Sequence, residues 1–273
     1  MGFFANIFGY LLNFLYELVK NYGVAIILFT VIVKLLMLPI SIKQQKTMKK
    51  TTELQGKLKE IQFKYKNDPE GLNRETLELY KNEKVNPFSG CFSAIIQIVL
   101  LLSIFYLVKS PLTYMKKVDS DTINTYKEQI QTAEDNKNSV YEEIEIIKRF
   151  GSQDEKVSIN MNFLGIDLSQ IPTENLNDYR TFIIPALYVV SSFISIKLTS
   201  KMQETKQVDN SKNEEDPMLQ ANKSMTYMMP IMAISIAIVA PLGLALYWLI
   251  NNVLMILERI VLNKIMSKEE ANG

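Results

Sequence analysis

Lys34 is the one charge in a 19-residue apolar run, residues 24–42 (VAIILFTVIVKLLMLPISI), a length that crosses a bilayer core as a helix. On insertion scales a lysine at the centre of such a helix costs roughly 2.5 to 3.5 kcal/mol, so something must hydrate it. The nearest charged flank, Lys43, is nine residues on. That is about 13 Å along a helix, and a lysine stem reaches only part of the way. The chemistry open to Lys34 is that of a cation facing a wet cavity that receives something; the plain alternative is a snorkelling lysine.

The residues that are missing exclude most other chemistry. There is no histidine, hence no Ser-His-Asp triad, no HExxH zinc site and no histidine proton relay. The single cysteine, Cys91, permits no internal disulfide and reads as a small apolar residue at a helix start. No Walker A or dinucleotide fingerprint occurs, so no cofactor, no metal and no enzymatic activity are expected. The apolar runs hold no carboxylate before Glu258, which stands beside Arg259 near the end of the last run and reads as an interfacial pair. Proton-coupled transporters usually need an intramembrane acid, so this weakens a transporter reading.

Other polar residues share the apolar runs with Lys34. They are Gln97, the serines Ser191, Ser192 and Ser195, and Asn251 and Asn252 after Tyr247-Trp248. Interhelical hydrogen bonding is the default use of such groups, and Trp248 also suits an interfacial belt. Together with Lys34 they could line one polar concavity.

These residues need helices to position them. The overall mean hydropathy of +0.04 looks globular only because long charged loops dilute the apolar stretches. Read by windows, there are five: residues 24–42, 92–108, 182–196, 225–240 and 242–257. Lys43, Lys46, Lys49 and Lys50 follow the first run without an acid among them, which places that loop in the cytoplasm. Residues 43–91 carry 11 basic and 7 acidic side chains, whereas residues 109–180 carry 9 and 13, a contrast that puts the second loop outside. Five spans then leave the N-terminus outside and the C-terminus inside.

Residues 1–22 lack the positive n-region of a signal peptide. Phe3, Phe4, Ile7, Phe8, Leu11, Leu12, Leu15 and Val19 recur at helical spacing, which predicts an amphipathic helix on the outer surface, with a sixth span as the alternative. Within residues 43–90, Leu54, Leu58, Ile61 and Tyr65 form one apolar stripe and Leu72, Thr76 and Leu79 another. Between them Asp68 can cap a helix that starts at Pro69. This predicts a helical hairpin whose arms cover each other and leave Lys57, Lys59, Lys64, Lys66 and Lys81 solvated. A basic hairpin beside a membrane suits contact with anionic headgroups, RNA or acidic partners, and plain solvation is the simpler alternative.

Four segments, spaced jointly, carry a resemblance. FTVIVKLLMLPISIKQQKTMKK leads into the hairpin and KYKNDPEGLNRETLELYKNEKVNPFSGC leads out of it; NFLGIDLSQ stands in the outer loop and MMPIMAISIAIVAPLGLALYWLINN spans the last two runs. Over nearly its whole length the chain resembles the YidC/Oxa-type membrane protein insertases. The resemblance implies an all-α polytopic membrane protein in a bacterial plasma membrane, with five transmembrane helices around a hydrophilic groove open to the cytoplasm and to lipid. A cytoplasmic helical hairpin and an N-terminal interfacial helix complete it. The expected order is surface helix 1–22, spans at 23–42, 91–108, 181–198, 225–240 and 241–262, hairpin 43–90, outer loop 109–180, cytoplasmic loop 199–224 and tail 263–273. Lys34 stands where the family commonly has arginine, keeping the charge but losing the planar fork. Gln97 and Trp248 fall at the family's other groove positions, with Asn252 as a further groove candidate.

The implied function is insertion and folding of client membrane proteins. Lys34 would attract translocated client segments and Lys57, Lys59, Lys64 and Lys66 would recruit clients at the hairpin. Implied partners are client membrane proteins and the lipid bilayer, with a Sec translocon, signal recognition components and the ribosome as further candidates, and no recognition of nucleic-acid sequence. The chain ends KEEANG without a long basic tail, which argues against tail-mediated ribosome docking, and it has no lipobox cysteine, so the N-terminal helix would steady the outer surface. The reading from another class is a small-solute transporter or channel with Lys34 as an anion site. It would call for an internal repeat or a second intramembrane charge.

Overall fold

A computed structural model describes residues 2–83, 89–133, 140–204, 232 and 234–272. Its helices are α1 (Gly2–Val19), α2 (Tyr22–Lys64), α3 (Pro69–Asn82), α4 (Ser89–Lys109), α5 (Ser120–Ala133), α6 (Glu142–Phe150), α7 (Ile183–Glu204) and α8 (Leu242–Asn272). One π turn, Leu112–Lys116, follows α4, and one small antiparallel hairpin pairs β1 (Asn162–Phe163) with β2 (Ile166–Asp167). The all-α membrane class expected from the sequence holds. Gly2–Val19, Tyr22–Thr47, Tyr179–Thr199 and Leu242–Ile265 are each long and apolar enough to cross a membrane, and Ile98–Lys109 is a shorter apolar helix. Most of the expected span at 225–240 lies outside the described residues; residues 234–239 are helical.

The contacts between helices fix their directions. A methyl group placed on Gly243 would meet Tyr22 at 3.3 Å and Val108 at 3.6 Å, so α2 and α8 begin together, where α4 ends. Tyr188 packs on Trp248, Ser191 meets Asn252 and Thr199 meets Arg259, so α7 and α8 advance side by side and run parallel. The free amide groups at the start of α2 and α8 are taken up by the loop before α7: Tyr22 N–H donates to Asn160 O, Leu242 N–H to Gln170 O and Gly243 N–H to Leu168 O, each at 3.0 Å. Asn21 caps α2 by accepting from Val24 N–H at 3.1 Å.

The β-hairpin at this end turns through Leu164 (φ 52°) and Gly165 (φ 80°). Two consecutive positive φ values make a two-residue turn of the kind that suits hairpin twist, with the leucine in the left-handed region that only glycine enters freely. Asn162 Oδ1 accepts from Gly165 N–H at 3.1 Å and holds the turn closed. Ile144, Ile146, Val157, Ile159 and Met161 from this loop join the same apolar core as α1, α2, α4 and α8.

Large apolar side chains also face outward along the long helices. Leu35, Leu36, Phe193 and Ile194 are each more than half exposed, as are Leu257 and Val261. Exposed apolar surface of that extent, on helices long enough to cross a hydrocarbon core, belongs against lipid, and the protein is membrane-embedded.

Two expected boundaries change in detail. The first span and the first hairpin arm form one 43-residue helix, because Pro39 lies within α2 without ending it. The last helix continues through the expected tail to Asn272. On α1 the residues that pack on the rest of the protein are Ala5, Gly9, Leu12, Leu15 and Tyr16, while Phe3, Phe4 and Ile7 are exposed. Close approach selects this face: a β-carbon on Gly9 would lie 1.9 Å from the carbonyl oxygen of Tyr114, so a glycine is required where α1 meets the π turn.

The hairpin forms as the spacing predicts. Asp68 accepts from Gly71 N–H at 3.0 Å with Pro69 at the first position of α3. Leu54, Leu58, Leu79 and Tyr80 pack into a cluster separate from the main core.

Candidate functional site

Lys34 does not stand alone on α2. Its Nζ lies 3.0 Å from Oε2 of Glu258 on α8, with the lysine side chain 19% and the glutamate side chain 8% exposed. The interfacial pairing expected between Glu258 and Arg259 is therefore not what forms. Successive residues on a helix diverge by about 100°, and here Glu258 faces α2 whereas the Arg259 guanidinium donates to the hydroxyl of Thr199 on α7. Glu258 lies within the stretch of α8 able to span the membrane. Its other oxygen, Oε1, is buried without a hydrogen-bond partner among the described residues.

The other sequence candidates separate from Lys34. Asn252 is buried and donates through Nδ2 to Ser191 Oγ at 2.9 Å and to Ser192 Oγ at 3.2 Å, joining α8 to α7. Trp248 lies one turn earlier on that face, 8% exposed, its ring 6.2 Å from that of Tyr188. These two residues and the serines make a polar and aromatic seam between α7 and α8. Gln97 lies on α4 and its side chain is outside the described residues. The structure thus brings together Lys34 with Glu258, and Trp248 with Asn252, as two neighbouring clusters along α8.

The hairpin lysines are at the surface, as expected. Lys57, Lys59, Lys64 and Lys66 are exposed. Lys57 reaches across the arms to Glu83 at 2.5 Å, and Lys64 lies 5.2 Å from the centre of the Tyr65 ring. An exposed pair of this kind contributes little to stability, about 0 to 1 kcal/mol.

The chain as a whole matches a family model across nearly all its length. The model of the family described as 60Kd inner membrane protein covers residues 14–270. The chain belongs to that family. Among curated proteins, a membrane protein insertase YidC of Treponema denticola is 28% identical over 98% of this chain and 39% of its own length. A protein of the same name from Fusobacterium nucleatum is 27% identical over 93% of this chain and 92% of its own length. One from Caldanaerobacter subterraneus is 42% identical over 40% of this chain and 53% of its own length. The chain thus spans less than two thirds of two of these relatives and nearly the whole of the third. The resemblance read from the four sequence segments holds.

Proposed function

We propose that the chain is a membrane protein insertase that works without a chemical fuel. The observation that carries this reading is Lys34: a cation at mid-helix in a spanning segment, still 19% accessible although its neighbours face lipid or protein. A client segment with an acidic outer tail is gathered at the hairpin through Lys57, Lys59, Lys64 and Lys66. Its tail is drawn toward Lys34, which shortens the hydrocarbon path left to cross. The apolar client stretch then leaves sideways into lipid, where burial returns about 25 cal/mol per Å² of apolar surface. A membrane potential positive outside adds roughly 2.3 kcal/mol per negative charge for each 100 mV.

In this reading the hairpin and the C-terminus are cytoplasmic, residues 109–180 are outside, and clients and bilayer are the partners. A Sec-type channel, signal recognition components and the ribosome are further partners that the insertase role suggests. The name carried by the relatives supports the role. A small-solute transporter gains a second intramembrane charge from Glu258, but the Lys34–Glu258 pair bears equally on both readings, and the name carried by relatives that match over most of this chain favours the insertase.

The test is reconstitution of the pure protein in liposomes with a single-span client, scored by protease protection of the client tail. Insertion without nucleotide, kept by Lys34→Arg and reduced by Lys34→Ala for acidic tails, is expected. Equal protection in empty liposomes, or full activity of Lys34→Ala on every client, would reject it.

A further inference from the structure

The charged group at the site that this mechanism leaves without a task is Glu258. Along α8 it stands about 24 Å from Leu242, and along α2 Lys34 stands about 18 Å from Tyr22. The two helices start side by side, so both groups lie at comparable depth within a core of roughly 30 Å. A carboxylate in such a place is ordinarily held by several donors, since each unfilled lone pair away from water is a cost. Here Oε2 has Lys34 at 3.0 Å and Oε1 is buried without a partner among the described residues. The nearest cation in sequence, Arg259, is turned to Thr199. Asn252, an amide donor earlier on the same helix, is bonded to Ser191 and Ser192. Glu258 is thus a buried, half-satisfied counter-ion, while the cation it holds is the more accessible partner.

We propose that Glu258 is an exchangeable counter-ion that sets which client tails Lys34 accepts, a specificity-determining residue that rests on the insertase reading above. At rest the pair is electrically neutral, which makes a lysine tolerable at mid-membrane without a permanent strong anion site. A client carboxylate approaches Lys34 from its accessible side and replaces Glu258 Oε2. The exchange gives up one lysine–carboxylate contact for another and leaves Glu258 without a hydrogen-bonding partner among the described residues, a cost that biases the pair back to its resting state. Glu258 then stays within reach as a negative charge. It repels a second client acid and, once the client has moved on, returns to Lys34 and clears the site. The pair therefore attracts without trapping, and tails with several acids gain less than their charge alone would give.

The plain alternative is a structural ion pair that fastens α2 to α8. Clients with zero, one and two acidic tail residues, assayed in liposomes at matched protein levels, separate the two. Glu258→Gln keeps the shape and removes the competing charge. It should raise the ratio of two-acid to neutral-tail insertion severalfold over the unaltered protein. Glu258→Asp, which draws the carboxylate back by one methylene, should raise it in the same direction by less, and serves if the glutamine variant fails to accumulate. Lys34→Gln and the Lys34→Gln/Glu258→Gln double variant should both lose the dependence on tail charge. A Glu258 variant whose ratio stays at or below the unaltered value, with Lys34→Gln still losing the dependence, overturns counter-ion exchange and leaves the Lys34 reading intact. Retention of full tail-charge dependence by Lys34→Gln overturns both.

Discussion

Asn252 and Ser191, 61 residues apart in sequence, meet at 2.9 Å between two parallel spanning helices, and Ser192 accepts the second amide hydrogen at 3.2 Å. Water cannot replace these bonds within a bilayer, but an unfolded state in the membrane finds other partners, so interhelical bonds of this type average about 0.6 kcal/mol and reach about 1.7. Asn252→Ala should therefore lower the stability of the detergent-solubilised protein by roughly 1 kcal/mol, read as a shift in the thermal midpoint. Ser191→Ala/Ser192→Ala should cost about the same, and adding Asn252→Ala to it should cost almost nothing more. Additive losses would place Asn252 in some other interaction, such as the client contact expected from the sequence.

Glu143 on α6 is a buried carboxylate outside the spanning helices. It accepts from Thr113 N–H at 3.0 Å and from Thr113 Oγ1–H at 2.6 Å, fastening α6 to the π turn after α4. Burial pushes its carboxyl above the usual range, and the two Thr113 bonds oppose but do not cancel that shift. The folded form then holds a proton at a pH where the unfolded chain has released it. Its stabilising contribution is fully present below the ordinary glutamate value near 4.5 and is lost as pH rises through the folded value. Thermal stability should accordingly increase as pH falls from 8 toward 5, and Glu143→Gln should flatten that profile. An unchanged slope in the glutamine variant would assign the pH dependence to another group.

The two predictions rest on residues of unequal legibility. The hairpin could be read residue by residue, since Asp68, Pro69 and the stripes through Leu54 and Leu79 act locally along the chain. The mid-membrane position of Lys34 was legible from run length alone. Its pairing with Glu258 was not, because helical periodicity says nothing about which face of α8 meets α2. The clue was available in register: the Pro241-Leu242-Gly243 turn and Tyr22 mark one level, and following each helix from there brings the two charges to similar depth. On α1 the spacing gives the apolar stripe but not which of its residues pack on protein, and that is decided by Gly9 against the Tyr114 backbone. Trp248 and Asn252 shared a helical face in the sequence, but only packing against Tyr188 and Ser191 turns that face to α7.

The helical hairpin should be separable from the bundle. Its apolar cluster of Leu54, Leu58, Leu79 and Tyr80 is distinct from the main core, and the Lys57–Glu83 pair joins its own arms. Replacing residues 52–82 with a short Gly/Ser link should leave membrane accumulation and the thermal midpoint of the bundle near those of the intact protein, while client insertion falls. Unimpaired insertion by the deleted protein would reduce the basic face of Lys57, Lys59, Lys64 and Lys66 to a solvated surface.

Sidedness can be tested on the same protein. The starts of α2 and α8 and the end of α4 lie together beside residues 160–170 at one end of the bundle, and the hairpin is at the far end of the 43-residue α2. In the proposed reading, the four lysines between Lys43 and Lys50 put the hairpin side in the cytoplasm. Ser120 at the start of α5 and Lys59 on the hairpin are both exposed, which makes them suitable reporters. In a Cys91→Ser background, Ser120→Cys should react with a membrane-impermeant thiol reagent on intact cells, and Lys59→Cys should react only after the membrane is opened. Equal labelling of both on intact cells would be incompatible with an outer loop at 109–180 and an inner hairpin. The reverse pattern would keep the bundle but invert it, and would remove the membrane potential as a drive for acidic client tails.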